Sequence, residues 1–368
     1  MEIEENKTTP TENESTDHLS DIMPFINEGI VIPIISNSFR VDEIFRNIRG
    51  LTDKIAKIPK FSDEYLTIDE QLTKEWADSI QYPMPDDHNL ARVAQYYQVN
   101  EKDILLAKTK YLKFLNMYLL DTSKEDEYKD IVSQLKLRTQ ERTFSDIVSQ
   151  LDYPRFSQGV EDPLRLLAKL PLPIYITTSY YTFLERALEA ENKKPRTQVC
   201  FWGGGRSRAK AEHWPDPDFE PTPVNPAVYH LYGLENYPQT LVISEDDFMN
   251  FLISVAEDTN TQNPVVPLKL REALAESRLI LLGYQLQNWE FRVLFKFILK
   301  FRKNELSPRS TVIQLKPRPK KIEDEKRSLA YLLQYFDKRQ FDVEWTSAEN
   351  YIQRFWAEWN KYNTQGLS

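Results

Sequence analysis

Four short stretches of this chain put small polar, phenolic or imidazole side chains directly after apolar runs. They are Ser36-Asn37-Ser38, Thr177-Thr178-Ser179, His230-Leu231-Tyr232-Gly233, and Gly283-Tyr284 with Asn288 a turn further on. Of these side chains only His230 exchanges a proton near neutral pH without help from its surroundings. The phenol of Tyr232, at about 10, needs a strong perturbation before it can act as a base. Ser179 offers one hydroxyl, enough to hold a water in a contracted pocket. Each group also has a plainer reading. Thr178 or Ser179 can cap a helix, and a lone histidine is more often a satisfied structural residue than a base. The carboxylates of Glu245, Asp246 and Asp247 follow Ser244 as a helix start and need no catalytic explanation.

Strands and helices must bring these groups together. Gly29 to Ile35 is a continuous apolar run, as in a strand covered on both faces, and spacing from Phe39 to Ile48 predicts a helix after it. Ile174 to Ile176 gives a strand leading through Thr177-Thr178-Ser179 into a helix with Leu184 and Leu188 on one face. Further strands are expected at Gln198–Trp202, Ala227–Tyr232, Arg278–Tyr284, Thr311–Leu315 and Phe341–Trp345. His230 and Tyr232, two apart, share a face if their strand stays regular. Helices are expected from Asn288, near 323–337, and through Tyr351, Ile352, Phe355 and Trp359. Alternating strands and helices argue for an α/β fold, a doubly wound and mostly parallel sheet. Such a sheet binds ligands at its carboxyl edge, where all four polar stretches fall. The turn at 36–38 has the layout of a nucleotide-binding turn without the glycines that let a backbone approach phosphate.

Residues 51–165 look mainly helical and read as an insertion in one α/β domain spanning 21–368. Their stripes are Leu90, Val93, Ala94, Tyr97 and Leu105, Leu112, Leu115, Leu119, with a helix start near Asp86-Asp87. Asp130-Ile-Val-Ser-Gln-Leu135 recurs as Asp146-Ile-Val-Ser-Gln-Leu151, too few copies for a solenoid. Residues 1–20 are acidic, nearly free of apolar side chains, and expected to be disordered. With 47 basic and 56 acidic residues the net charge is -9, which argues against nucleic-acid binding by bulk charge. Arg206, Arg208 and Lys210 form a local basic patch in a Gly- and Pro-rich loop, read as solvated. Cys200 is the only cysteine, so no internal disulfide and no cysteine-based zinc site is expected. No apolar run spans a bilayer and no signal-peptide pattern opens the chain, so a cytoplasmic protein without a membrane partner is expected.

The order and spacing of these segments resemble sirtuin-like domains. The resemblance rests on Ile176-Thr-Thr-Ser-Tyr-Tyr-Thr-Phe-Leu-Glu-Arg-Ala-Leu188, on His230-Leu-Tyr-Gly233 with Leu241-Val-Ile-Ser-Glu-Asp-Asp-Phe248, on Leu281-Leu-Gly-Tyr284 through Asn288, and on Ile32 to Ser38. It implies a Rossmann-like sheet that binds NAD, in the bacterial branch without a zinc module, whose members often act in anti-phage defence by cleaving the nicotinamide bond. On that resemblance Ser36, Asn37, Ser38, Thr177, Thr178, Gly233, Gly283, Tyr284 and Asn288 would bind the nucleotide, and no metal is expected. The family's catalytic asparagine falls at Ser179, its following acidic residue at Tyr181 and its catalytic histidine at Tyr232, with His230 two residues away as a substitute base. These departures imply an NAD glycohydrolase whose site is either remodelled or lost. The other reading is a pseudoenzyme, a scaffold or nucleotide sensor acting through a protein partner or a homo-oligomer. Protein deacetylation is not expected.

Overall fold

The strand Val31–Ile35 (β1) is apolar and buried along its whole length, as a strand must be when helices cover both faces of its sheet. The computed structural model describes residues 19–37, 39, 44, 68–101, 104–122, 129–137, 142–151, 162–203, 216, 218–258, 265–286, 288–302, 307–315 and 324–365. The remaining strands are Ile174–Thr177 (β2), Arg196–Val199 (β3), Ala227–His230 (β4), Arg278–Leu282 (β5), Ser310–Gln314 (β6) and Phe341–Trp345 (β7). They form one sheet in the order β3-β4-β2-β1-β5-β6-β7, and every pairing is parallel. The expectation of a mostly parallel, doubly wound Rossmann-like sheet therefore holds, and the described sheet is parallel throughout. From β1 the chain builds outward to one side through β2 to β4. It then crosses over and builds the other side through β5 to β7. β1 is thus the point where the winding reverses, and the crevice beyond its carboxyl end is where such sheets hold ligands.

Pro33 sits in the middle of β1 and has no N–H to give. Pairing with β2 is registered only at Ile34 and Ile35, whereas pairing with β5 runs from Val31 to Ile35. β5 is therefore the main neighbour of the central strand. Its end is pressed against the turn after β1. Gly283 has φ of 80°, and a Cβ there would lie 2.5 Å from Ser36 Oγ and 2.6 Å from Phe39 Cβ. Only glycine meets both demands.

The helices are Met23–Asn27 (α1), Ile68–Ser79 (α2), Leu90–Asn100 (α3), Ile104–Thr122 (α4), Lys129–Leu137 (α5), Phe144–Gln150 (α6), Pro163–Lys169 (α7), Phe183–Ala190 (α8), Glu245–Ala256 (α9), Leu268–Glu276 (α10), Trp289–Phe301 (α11), Glu325–Asp337 (α12) and Ala348–Gln365 (α13). Described residues within 51–165 are mainly helical, as the stripes suggest. Leu112, Leu115 and Leu119 are buried, but Leu105 is 47% exposed and does not belong to the stripe. α3 starts at Leu90 with Asn89 as its cap, after the expected start at Asp86-Asp87. The third strand is Arg196–Val199, so Cys200 to Trp202 lie beyond it. Ser244 caps α9 in a reciprocal box with Asp247, as expected. α8, by contrast, has Thr182 at its cap position with no side-chain bond, so neither Thr178 nor Ser179 caps it. Of the expected tail at 1–20, residues 1–18 lie outside the described residues, while Leu19 and Ser20 are helical and Leu19 is buried. Most of the helix after Phe39 and the basic patch of Arg206, Arg208 and Lys210 also lie outside the described residues.

Buried polar contacts fasten the helical region to the sheet. Lys108 on α4 is 2% exposed, and its Nζ donates to Leu241 O at 2.5 Å and to Asp247 Oδ1 at 2.8 Å. Glu235 accepts from Phe144 N at 2.6 Å and Ser145 N at 3.1 Å at the start of α6. Burial pushes the Glu235 carboxyl up to about 7, against these donors.

Candidate functional site at the carboxyl edge

A cleft of about 340 Å³ opens beyond the carboxyl ends of β1, β2 and β5. Its floor comes from the strand ends, through Asn37, Tyr180, Asn288, Trp289 and Glu290. The start of α2, with Asp69, Glu70 and Thr73, and the approach to and start of α3, from His88 to Ala91, also line it. Ile243 and Phe248, before and within α9, supply apolar lining. The volume lies in the range of small-molecule sites.

The polar centre of the floor is a chain of three side chains. Thr178 Oγ1 donates to Glu290 Oε1 at 2.7 Å and lies 3.1 Å from Tyr284 Oη. With its one proton given to the carboxylate, Thr178 accepts from the tyrosine. Burial pushes the Glu290 carboxyl up to about 7, partly countered by the Thr178 bond and reinforced by the charge of Asp69. A carboxyl raised toward neutral pH, in the floor of a cleft, suits proton transfer. Glu290 occupies the first turn of α11, where a sequence reader accounts for a glutamate by the helix dipole. Its position just past Gly283, Tyr284 and Asn288 is the signal that could have found it.

The other expected residues are placed as follows. Asn37 and Asn288 line the cleft beside Glu290, and Thr178 and Tyr284 bond to each other beneath it. Ser36 Oγ donates to Gly283 O at 2.8 Å and accepts from Phe39 N at 3.2 Å, so it closes the first turn in place of a glycine loop. Ser38 lies outside the described residues. Thr177 Oγ1 donates to Ile35 O at 3.0 Å and accepts from Ser179 N at 2.9 Å, which ties β2 to β1. Ser179 Oγ accepts from Tyr181 N at 3.3 Å. Gly233, with φ of 89°, lets the chain turn under Thr240, whose carbonyl oxygen a Cβ would meet at 2.3 Å.

His230 and Tyr232 do not share a face, because β4 ends at His230. Tyr232 is fully buried, its hydroxyl donates to Glu290 O at 3.0 Å, and burial holds its phenol well above the usual range. It is a prop under Glu290. His230 is also fully buried and is not among the residues lining the cleft. Its Nδ1 lies 2.8 Å from Ser179 O and its Nε2 2.8 Å from Glu185 Oε1 on α8. A carbonyl oxygen can only accept, so Nδ1 carries a proton, and a carboxylate on Nε2 calls for a second. Burial alone would lower this imidazole, but the Glu185 carboxylate overrides it and the pKa is raised. Burial likewise opposes ionisation of Glu185, and His230 overrides that, so its pKa is lowered. Thr197 Oγ1 adds a bond to Glu185 at 2.9 Å.

Residues that sequence reading did not single out are thus Glu290, Trp289 and Tyr180 on the floor and Asp69, Glu70, Thr73 and His88 from α2 and the approach to α3. Among the described residues no group of three or more His, Cys, Asp or Glu side chains is placed to hold a metal ion. No helix among them is long and apolar enough to cross a membrane. A comparison with curated proteins yields no match. A family model described as a SIR2-like domain matches residues 173–337. That stretch carries β2 to β6 and with them Thr178, Tyr232, Gly283 and Glu290, and over it the chain is similar to the sirtuin type of scaffold.

Proposed function

We propose that this chain binds a nicotinamide nucleotide of the NAD class in the cleft and hydrolyses its N-glycosidic bond, with Glu290 managing the proton. The observation that carries the proposal is the Glu290 carboxyl, raised to about 7 in the floor of a cleft at the winding reversal of a sheet whose residues 173–337 match a SIR2-like domain. Asn37 supports the fit. It lines the cleft, is 6% exposed, and its Oδ1 has no hydrogen-bond partner among the described residues, so it is an acceptor suited to a ligand hydroxyl or amide.

The chemistry balances without a metal or a redox partner. The bond from the ribose anomeric carbon to the pyridinium nitrogen breaks, and its electron pair goes to the ring, which leaves as neutral nicotinamide. A water oxygen bonds to the same carbon. Ionised Glu290 takes the water's proton and releases it to solvent, while Thr178 holds the carboxylate in place. Ser179, Tyr232 and His230 act as struts in this reading. An anti-phage setting, with an activating protein partner, is part of the same proposal and is supported by the resemblance alone.

The test is NAD consumption by the purified chain and its Glu290→Gln variant, with binding followed by calorimetry. Turnover that falls at least a hundredfold in the variant, with binding kept, supports the proposal. Turnover that survives the substitution sinks it. A second reading, a nucleotide-binding scaffold without turnover, is favoured by the internal bonding of Ser179, His230 and Tyr232. Binding without turnover, unchanged by a phage-derived or cellular activator, would establish that reading.

A further inference from the structure

Helix α12 joins β6 to β7, the last two strands at one end of the sheet. Its inner side is held by few groups. Phe336 is the one buried residue of the helix, and its ring lies 6.1 Å from that of Phe291 and 5.5 Å from that of Phe295 on α11. The outer side carries apolar groups where a solvated helix carries charge. Ala330 is exposed, Tyr331 is 61% exposed and Leu333 is 39% exposed, all within one turn at the middle of the helix. The charged residues stand at its two ends.

Their order is self-complementary. Lys326, Ala330, Leu333 and Asp337 follow at spacings of four, three and four, so they form one stripe, and all four are exposed. A second α12 can lie antiparallel on this stripe, with the midpoint between Tyr331 and Leu332. Each Lys326 is then level with the second copy's Asp337, and each Ala330 with its Leu333. The small side chain leaves room for the large one. The next two levels are also opposite in sign, Glu325 with Lys338 and Asp324 with Arg339. Opposite charge at three successive levels fixes an antiparallel register, and antiparallel packing sets the two helix dipoles head to tail. Lys326 is in no ion pair among the described residues. Asp337 meets Arg309 through Oδ1 at 3.0 Å, but its side chain is 69% exposed and a carboxylate accepts at both oxygens.

We propose that the outer face of α12 is an interaction surface for a second copy of this chain, the two helices packing antiparallel with Tyr331 and Leu333 covered between a Lys326–Asp337 pair at each end. The proposal draws nothing from the chemistry of the cleft. One pair of 13-residue helices is near the small end of specific interfaces, so association is expected in the micromolar range.

Sedimentation of the full chain over about 1–100 µM should show a monomer–dimer equilibrium. Lys326→Glu and Asp337→Lys each set like charges against one another at both ends of the pair, and each should weaken self-association at least tenfold. Mixing the two variants brings opposite charges together again at both ends, so the mixture should associate as well as the unsubstituted chain does. Leu333→Glu, at an exposed position, should leave the chain monomeric with an unchanged melting temperature, which separates loss of the interface from loss of the fold. A chain that stays monomeric over the whole range overturns the proposal. A dimer that ignores Leu333→Glu does so too, as do two folded charge variants that fail to recover on mixing.

Discussion

Glu185 and Glu290 are glutamates near the starts of helices that follow sheet strands, yet their surroundings send them in opposite directions. Glu185 is 5% exposed and bonded to His230 and Thr197, and its pKa is lowered. Glu290 meets the Thr178 hydroxyl and the charge of Asp69, and its pKa is raised to about 7. The difference lies in the partner. An imidazole on β4 turns one buried carboxyl into half of an ion pair that holds α8 on the sheet. The other carboxyl has no cation in ion-pair contact among the described residues, and burial raises its pKa to about 7. The imidazole that looked most capable of chemistry is the one the fold has consumed.

Four expected outcomes would break or sharpen that contrast. The largest is kinetic. Glu290→Gln should lower NAD cleavage by about 10²–10⁴-fold, as loss of a proton-transfer group does, while leaving the melting temperature unchanged or raised. The next is thermodynamic. His230→Ala strands a buried carboxylate and should cost about 3–5 kcal/mol of stability, read in urea unfolding. If it proves mild, Glu185 is not ion-paired.

The third outcome is a set of pH dependences with opposite signs. Cleavage should rise with pH through about 7 as Glu290 ionises. Stability from Glu290 runs the other way, because its native pKa lies above the unfolded value of about 4.3. It declines as pH rises from there to about 7, and Glu290→Gln should flatten that decline. The raised pKa of His230 contributes stability that is full below about 6.5 and fades as pH rises through its native value. The lowered pKa of Glu185 contributes stability that is full above about 4.3 and fades as pH falls through its native value. Their pair should therefore stabilise most between about 4.3 and 6.5, and His230→Ala should remove that maximum. The smallest outcome concerns Tyr232→Phe, which removes one hydrogen bond to Glu290 O and should cost about 1 kcal/mol. A collapse of activity there at constant stability would make the phenol more than a prop.

The sheet was legible because most of its strands are short runs rich in apolar or β-branched residues, alternating with helical periodicity. β3, Arg196-Thr-Gln-Val199, is polar at its start and was expected two residues further on, and no helix among the described residues separates it from β4. The doubly wound class follows from that alternation. The cleft was legible only on one side. Asn37, Thr178, Tyr284 and Asn288 stand at strand ends, where sheet geometry puts ligands. Glu290, Asp69 and Glu70 stand in first helical turns, where an acidic residue has an ordinary explanation. Nothing local marks them as lining one cavity. His230 misled for a related reason. Its partner Glu185 lies 45 residues earlier, on a helix whose exposed face would be the default home for a glutamate.

The winding reversal at β1 also bears on how the protein is born. The turn after β1 is closed by Gly283, 247 residues downstream of Ser36, and Trp289 and Glu290 follow only after that. A ribosome adding about 5–20 residues per second leaves the first strand waiting on the order of 10–50 s for its main neighbour. Throughout that interval the nascent chain lacks Trp289 and Glu290, so the floor of the cleft closes only when most of the chain has been made.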